Sequence, residues 1–557
     1  MQSQHTHDEP WDRQQSAASL VSFEEASALG TSQRAFAREH GVPRTTLQHW
    51  LQRKDSLDGS ASLVALFESP EGVAFLHRLV IALQFVMTFV GGCGVRPVAK
   101  VLELAGLSTF VANSFGSRQK LGREMEAQTR AFAQEQRARL GQQMAAKRIT
   151  VCEDETFHPE TCLVAMEPVS NFILLEAYAE GRDAARWTAA LREALGELPV
   201  SVIQSTSDEG KGLLAHVRSG LGAHHSPDLF HVQQELSRAT SVTLAAQVRR
   251  SEQAVTEAAA RTEAQQTAAQ AWAQSVRGPG RPPNFEARIA QAQATEERAE
   301  QALQAARTRQ ESAKQAIRAI GKAYHPVDLN TGAPRSAARV KTDLEQQFAQ
   351  IDTVAAQASL PERCLKGIQK ARRLLTALAC TVAFFHREVQ AQIGALGLTQ
   401  AQAQVVEQRL VPVAYLERAA RKAARADDRA HLRDLAERLR SESDPAPTDL
   451  SPTRRAAVEQ VTEECADLFQ RSSSCVEGRN GQLALRHHNL HRITATRLEA
   501  LTAVHNYFIS RPDGTTAAER FFNAKPADLF EWLLDHLDMP ARPASLRSHT
   551  RASPALN

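Results

Sequence analysis

From Arg148 to Glu235 the chain stops spacing its apolar residues like a helix and begins to spell short strands, while almost everything on either side stays helical. The runs Arg148–Cys152 (RITVC), Cys162–Met166 (CLVAM) and Phe172–Tyr178 (FILLEAY) are apolar and of strand length. Ala184–Leu195 has helical spacing, with Trp187, Leu191, Ala194 and Leu195 on one face. Pro199–Gln204 (PVSVIQ) reads as a fourth strand, Lys211–Leu221 as a helix and Asp228–Val232 (DLFHV) as a fifth strand. The order β-β-β-α-β-α-β predicts a meander feeding a crossover into a small mixed sheet. The expected fold class is therefore α+β and mostly helical.

The helical remainder divides at breakers. Residues 1–20 are polar and read as a disordered tail. Residues 21–60 and 61–147 read as two helical units, the second interrupted at Ser69-Pro70, Gly91-Gly92 and Gly106. After the strand block at 148–235, Leu236–Val276 and Phe285–Ile320 are rich in Ala, Gln, Glu and Arg and flank RGPGRPP (Arg277–Pro283). That pattern predicts a long antiparallel helical hairpin, packed through Leu244, Val248, Val255, Leu303 and Ile317. Further helices (Lys341–Ile351, Leu365–Leu396, Gln400–Ser441 and, after the linker Ser443–Pro452, Arg454–Gln470) complete a helical insertion over 236–470. Residues 471–511 hold one helix over Val476–Ser510, and 512–557 form a C-terminal unit, Ala517–Leu537, with a basic tail.

Composition excludes several classes. Seven Cys without a C-x-x-C pair rule out a zinc module and a disulfide framework. The apolar run Leu79–Val95, broken by Gln84 and Gly, is too short for a membrane span. No signal-peptide core opens the chain, so the expected setting is cytoplasmic. The net charge of +3 conceals an acidic block: residues 151–235 carry 5 basic and 14 acidic side chains, and the flanking segments are mildly basic. A basic frame suits a polyanion, and an acidic pocket within it would need divalent cations to admit phosphate.

Ser32–Leu51 (SQRAFAREHGVPRTTLQHWL) has the pattern of a helix-turn-helix. Ser32 caps the first helix, Gly41 makes the turn, and Phe36, Ala37, Val42, Leu47, Trp50 and Leu51 pack the pair. Arg34, Arg44, Thr45, Gln48, His49, Arg53 and Lys54 are then left to reach bases and phosphates of DNA. Gly94–Phe115 admits a second such module or plain core packing. The Gly-Arg-Pro core of RGPGRPP, with Arg277 and Arg281, fits a minor-groove contact, but an ordinary hairpin turn explains it as well.

Three acids stand where a mixed sheet would gather them. Asp154 follows the first strand, Asp208 follows the fourth, and Glu477 opens a helix. Carboxylates on rigid strand ends can share divalent metals. Each has a local alternative. Asp154 lies between Glu153 and Glu155, although alternation puts it on the face of Cys152. Asp208 is placed to cap the next helix, and Ser474 with Glu477 fits a capping box.

In combination, the motifs DET (Asp154, Glu155, Thr156), TSD (Thr206, Ser207, Asp208), DLFHV (Asp228–Val232) and VEGRNGQLALRHH (Val476–His488) resemble the DDE transposases of bacterial insertion sequences. Asp154 and Asp208 are 54 positions apart; the 269 between Asp208 and Glu477 resemble the subset with a helical insertion before the last acid. The resemblance implies a ribonuclease H-like core in which Asp154, Asp208 and Glu477 are catalytic and hold two Mg2+ ions, with Mn2+ able to substitute. It implies that Asn480 touches the scissile strand and that Arg479, Arg486, His487 and His491 give the helix a basic flank, with His231 approaching from the fifth strand. The implied partners are double-stranded DNA, as element ends and target, and a second copy in a homodimeric synaptic complex, with no membrane. The implied location is the nucleoid. Two other classes fit the same chain: a helix-turn-helix regulator with an inactive core, and a coiled-coil scaffold with no affinity for DNA.

Overall fold

A computed structural model describes residues 11–157, 160–196, 198–276, 278, 281–441, 450–490, 492–539 and 541–543. It is mostly helical around one five-stranded mixed sheet.

The chain begins with α1 (Arg13–Ala28), α2 (Gln33–Glu39) and α3 (Arg44–Asp55). Residues 11–20 are not the disordered tail that their polarity predicts; residues 1–10 lie outside the described ones. Asp12 and Gln15 close a capping box at the start of α1, and Leu20 and Phe23 pack onto Phe36, Val42, Leu47 and Trp50. Ser32 caps α2, and Gly41 at φ +67° makes the turn into α3.

Next come α4 (Ala61–Phe67), α5 (Pro70–Phe85), α6 (Val95–Leu104) and α7 (Phe115–Gln143), with one π-helical turn at Val86–Val90. The breaks fall at the Pro and Gly positions read from the sequence. Among the described residues, Pro70–Val90 is the one helix long and apolar enough to cross a membrane. Its Leu76, Val80, Ile81, Phe85 and Phe89 are buried in the core that also holds the sheet.

The sheet consists of β1 (Lys147–Phe157), β2 (Thr161–Glu167), β3 (Phe172–Ala179), β4 (Val200–Ser207) and β5 (His224–Pro227), in the order β3-β2-β1-β4-β5. The first three are antiparallel neighbours, while β4 runs parallel to β1 and β5 parallel to β4. Helix α8 (Ala184–Leu195) joins β3 to β4, burying Trp187 and Leu191. Helix α9 (Lys211–Ala215) and a π-helical turn join β4 to β5.

Two strand assignments change. β1 runs on to Phe157, because Asp154–Phe157 go on pairing with β2 after the strand has left β4 at Glu153. The segment Asp228–Val232 is not a strand: β5 is His224–Pro227, and α10 (Leu229–Gln274) starts immediately after it. The Asp228 carboxylate accepts from the Phe230 N–H at that N-cap, and Leu229, Val232 and Leu236 are buried at helical spacing. DLFHV is too short for its period to be read from within; the apolar positions beyond it decide.

α10 and α11 (Phe285–Ala323) form the long hairpin, about 69 and 58 Å at 1.5 Å per residue. Leu244, Val248, Ala258 and Thr262 face Ala306, Ala313, Ala316 and Ile317 across a seam of small residues. In the connecting RGPGRPP, Arg277 lies outside the described residues and Arg281 is exposed. The insertion continues as α12 (Ala337–Gln357), α13 (Glu362–Arg372), α14 (Leu375–Ala395), α15 (Gln400–Val405), α16 (Val411–Lys422), α17 (Ala426–Ser441) and α18 (Pro452–Asp467), around a second apolar core.

The predicted helix Val476–Ser510 is two: α19 (Ser474–Leu490) and α20 (Ala495–Tyr507), the second restarted by the Thr494 cap. The C-terminal helices α21 (Ala517–Phe522) and α22 (Leu529–His536) complete the sheet's core. Phe521 stacks on Phe172 of β3 at 4.5 Å, and Phe132 of α7 meets Trp532 at 5.7 Å. Residues 61–147, the sheet, α19, α20 and the C-terminal unit thus share one apolar core.

Candidate active site

Parallel pairing sets the site. β1 and β4 are in register up to Glu153 opposite Ser207, so Asp154 and Asp208 are the next residues on neighbouring strands. Strands in a sheet lie about 4.8 Å apart. β5 pairs Pro227 with Ser207, and the following Asp228 donates its N–H to the Ser207 carbonyl at 3.2 Å. Asp208 and Asp228 therefore directly follow β4 and β5, while Asp154 does not follow its strand but lies within β1, level with them where its pairing with β4 ends, at the edge of an open α/β sheet where ligands usually bind.

Strand alternation sorts the three acids of VCEDETF. Glu153 is fully buried on one face, where it accepts from Ser205 and lies 3.1 Å from His216 Nε2. Glu155 shares that face and accepts from Trp187 Nε1 at 3.1 Å. Asp154 and Cys152 take the other face, beneath α19. Cys152 Sγ lies 3.7 Å from the Ser472 carbonyl, and Asn480 Nδ2 donates to Asp154 Oδ2 at 2.9 Å.

The electrostatics are those of crowded, part-buried carboxylates. Burial pushes the Asp154 carboxyl up to about 7; the Glu155 N–H and His231 pull it down, while Asp208 and Glu155 raise it further. Burial also raises Glu155, Glu209 and Glu477, and Asp228 adds to the rise at Glu477. Such groups release protons readily to a cation.

Asp208 does not cap α9 in the ordinary way: its Oδ1 accepts from the Gly210 N–H at 2.9 Å, and Gly210 itself is the N-cap. Among the described residues, Glu477 accepts no hydrogen bond from the start of α19. Its Oε1 lies 3.8 Å from His231 Nε2, which comes from the first turn of α10 rather than from a fifth strand. Among the described residues, the one set of three acid, His or Cys side chains with ligand atoms all within 4.8 Å of one another is Asp228, His231 and Glu477. Asp154, Asp208 and Glu477 do not form so tight a set.

Asp228 is the residue that sequence reasoning missed. It is 2% exposed; one carboxylate oxygen caps α10 and the other accepts from both the N–H and the hydroxyl of Ser473, next to α19. Leu229 N–H also donates to the Arg471 carbonyl. Asp228 therefore pins the start of α19, and with it Glu477, to the sheet edge. The Asp in DLFHV, read as an N-cap and not as a strand residue, was the available signal.

The expected basic flank of α19 turns inward. Arg479 is buried in a two-pronged pair with Glu176 of β3, at 2.7 and 2.6 Å. Arg486 donates to the Phe89 and Val90 carbonyls, and His487 is buried beside Tyr178. His491 lies outside the described residues. Arg479, Arg486 and His487 hold the helix down and do not present a face to phosphate. Arg34, Arg44, Thr45, Gln48 and His49 are exposed on α2 and α3. Arg53 is instead tied to the Pro543 carbonyl at 2.7 Å, and Lys54 is paired with Glu24.

Residues 406–549 match DUF6399, a family of unknown function. The matched stretch includes Glu477, Asn480 and the C-terminal unit that packs on the sheet, and it excludes Asp154, Asp208 and His231. No curated protein matches the chain. No solved structure matches it either.

Proposed function

We propose that the protein is a DDE-type DNA transposase, with a ribonuclease H-like core that cleaves DNA strands and joins them to target DNA. The carrying observation is that Asp154 on β1 and Asp208 just after the parallel β4 stand side by side, while α19 packs on β1 and β2 with Asn480 bonded to Asp154. Three antiparallel strands continued by two parallel ones support the same core. Oxygen donors fit a hard cation such as Mg2+ (or Mn2+), and the Asn480 Oδ1 is buried beside them with no partner among the described residues. Asp154, Asp208 and Glu477 would hold two such ions, which when bound activate a water or 3′-hydroxyl and neutralise the leaving oxygen. Asn480 orients the Asp154 carboxylate, Asp228 fixes the entry to α19, and the exposed face of α2 and α3 binds element-end duplex. A homodimer brings two ends together, and the work is done on DNA in the cytoplasm.

One observation favours a second reading, a DNA-binding regulator with an inactive core: Glu477 clusters with His231 and Asp228 and not with the two other acids of the triad. Divalent-metal-dependent nicking of duplex carrying the element's own ends separates the two. Asp154→Ala, Asp208→Ala and Glu477→Ala are each expected to abolish nicking and leave DNA binding intact. Binding without nicking by the parent protein, in Mg2+ and in Mn2+, would make it the regulator.

A further inference from the structure

Beside the acids a cleft of ≈ 920 Å³ opens between the sheet edge and the helical insertion. One wall carries Glu155, Asp208 and Glu209 with Lys211; the other carries His231, Gln234 and Arg238 of α10 and Lys370 of α13. Several of these charges are already engaged. Asp183 caps α8 through the Ala185 and Arg186 N–H groups, Lys370 pairs with Glu235 at 3.0 Å, and Arg182 stands 3.8 Å from Glu155. Lys211 and Arg238 are exposed and have no ion pair among the described residues.

The placement of these two cations follows from local structure. Lys211 opens α9, three residues after Asp208. His231, Gln234 and Arg238 lie at helical spacing on one face of α10, so Arg238 stands about 10 Å along the axis from His231. A row therefore leads from Glu477's neighbour away from the acids. With the acids neutralised by divalent cations, what the cleft offers an incoming chain is two unpaired cations on opposite walls. That arrangement suits a phosphodiester backbone running between them.

We propose that this cleft is the path of a DNA strand through the protein, with Lys211 and Arg238 as its phosphate contacts. The inference rests on the transposase reading only for the strand's destination at the acids; the grip itself is independent of catalysis. It replaces Arg479 and Arg486, which are occupied inside the fold, with cations that face open space.

The test uses the full chain and a fluorescein-labelled DNA oligonucleotide, single-stranded and duplex, titrated across a range of salt in Ca2+, a hard cation for the same oxygen ligands that keeps the acids neutralised. Lys211→Gln with Arg238→Gln is expected to weaken binding at low salt and to make the salt slope shallower by about 1.4 to 1.8, at 0.7 to 0.9 per lost phosphate contact. Lys211→Arg with Arg238→Lys is expected to restore the slope. Lys525→Gln, outside the cleft on the C-terminal unit, is expected to leave it unchanged. All three variants change exposed residues and should melt with the parent protein. A double variant that folds and keeps the parent's affinity and slope on both probes would overturn the proposal. If the slope falls as expected but the parent never nicks DNA in Mg2+, the cleft stands and the transposase reading fails. If the parent nicks and the slope does not move, the cleft alone fails.

Discussion

Arg479 offers the clearest division between what its sequence context implies and what its surroundings do. Beside Glu477 it resembles a phosphate ligand. In the fold its guanidinium is 4% exposed and the Glu176 carboxylate 0%, joined by two charge-assisted hydrogen bonds at 2.7 and 2.6 Å. Thr502 of α20 donates to the same carboxylate. Replacing Arg479 with Met leaves a buried carboxylate with Thr502 as its remaining side-chain donor. Losing one partner of a buried pair costs about 3–5 kcal/mol. Because α19 and α20 both dock on β3 through this carboxylate, the loss is expected in local opening of those helices. Amide hydrogen exchange in α19 should then accelerate roughly 140- to 3700-fold, at tenfold per 1.4 kcal/mol. Adding Glu176→Leu to Arg479→Met removes both charges and is expected to recover most of the loss, since a well-packed apolar pair often matches a buried ion pair. Exchange that does not change in Arg479→Met, together with a shallower salt slope for DNA binding, would refute this account and return Arg479 to the role of phosphate ligand.

Two further outcomes follow from buried groups. Burial holds His224, His225 and His505 down to about 4, whereas an unfolded histidine titrates near 6.5. The folded state thus binds fewer protons, so stability is complete above about pH 6.5 and is lost as pH falls toward 4; each histidine gives up about 2 kcal/mol between pH 7 and 5. Asp154, pushed the opposite way, gains stability over that range, so melts are best run on Asp154→Asn; a flat or rising melting temperature from pH 7 to 5 would contradict the assignment. Asp228→Ala removes a helix cap and two hydrogen bonds to Ser473, and should cost about 2–4 kcal/mol. Its exchange signature should appear jointly in the first turns of α10 and α19; protection lost in only one of them would show that Asp228 does not link the two.

The helices were legible wherever their periodicity ran for several turns, as in Ala184–Leu195 and the two arms around RGPGRPP. Breaks at Ser69-Pro70, Gly91-Gly92 and Gly106 were legible because Pro and Gly act on their own backbone. Alternation on β1 placed Asp154 with Cys152, away from Glu153 and Glu155. DLFHV defeated the same logic: five residues without a full period read as a strand, while the apolar positions that make it helical lie further along α10.

The sequence by itself therefore determined what depends on neighbours within about one turn: helix, strand, turn and cap. Tertiary structure decided which partner each charge found. Arg479 meets Glu176 across 303 positions, Asp228 meets Ser473 across 245, and Asn480 meets Asp154 across 326. Local propensity carries no record of such separations. The side chain at a given position turns inward or outward according to whether the folded surface opposite it offers a carboxylate, a carbonyl or water, and that surface exists only once the sheet, α19 and the C-terminal helices have closed on one core.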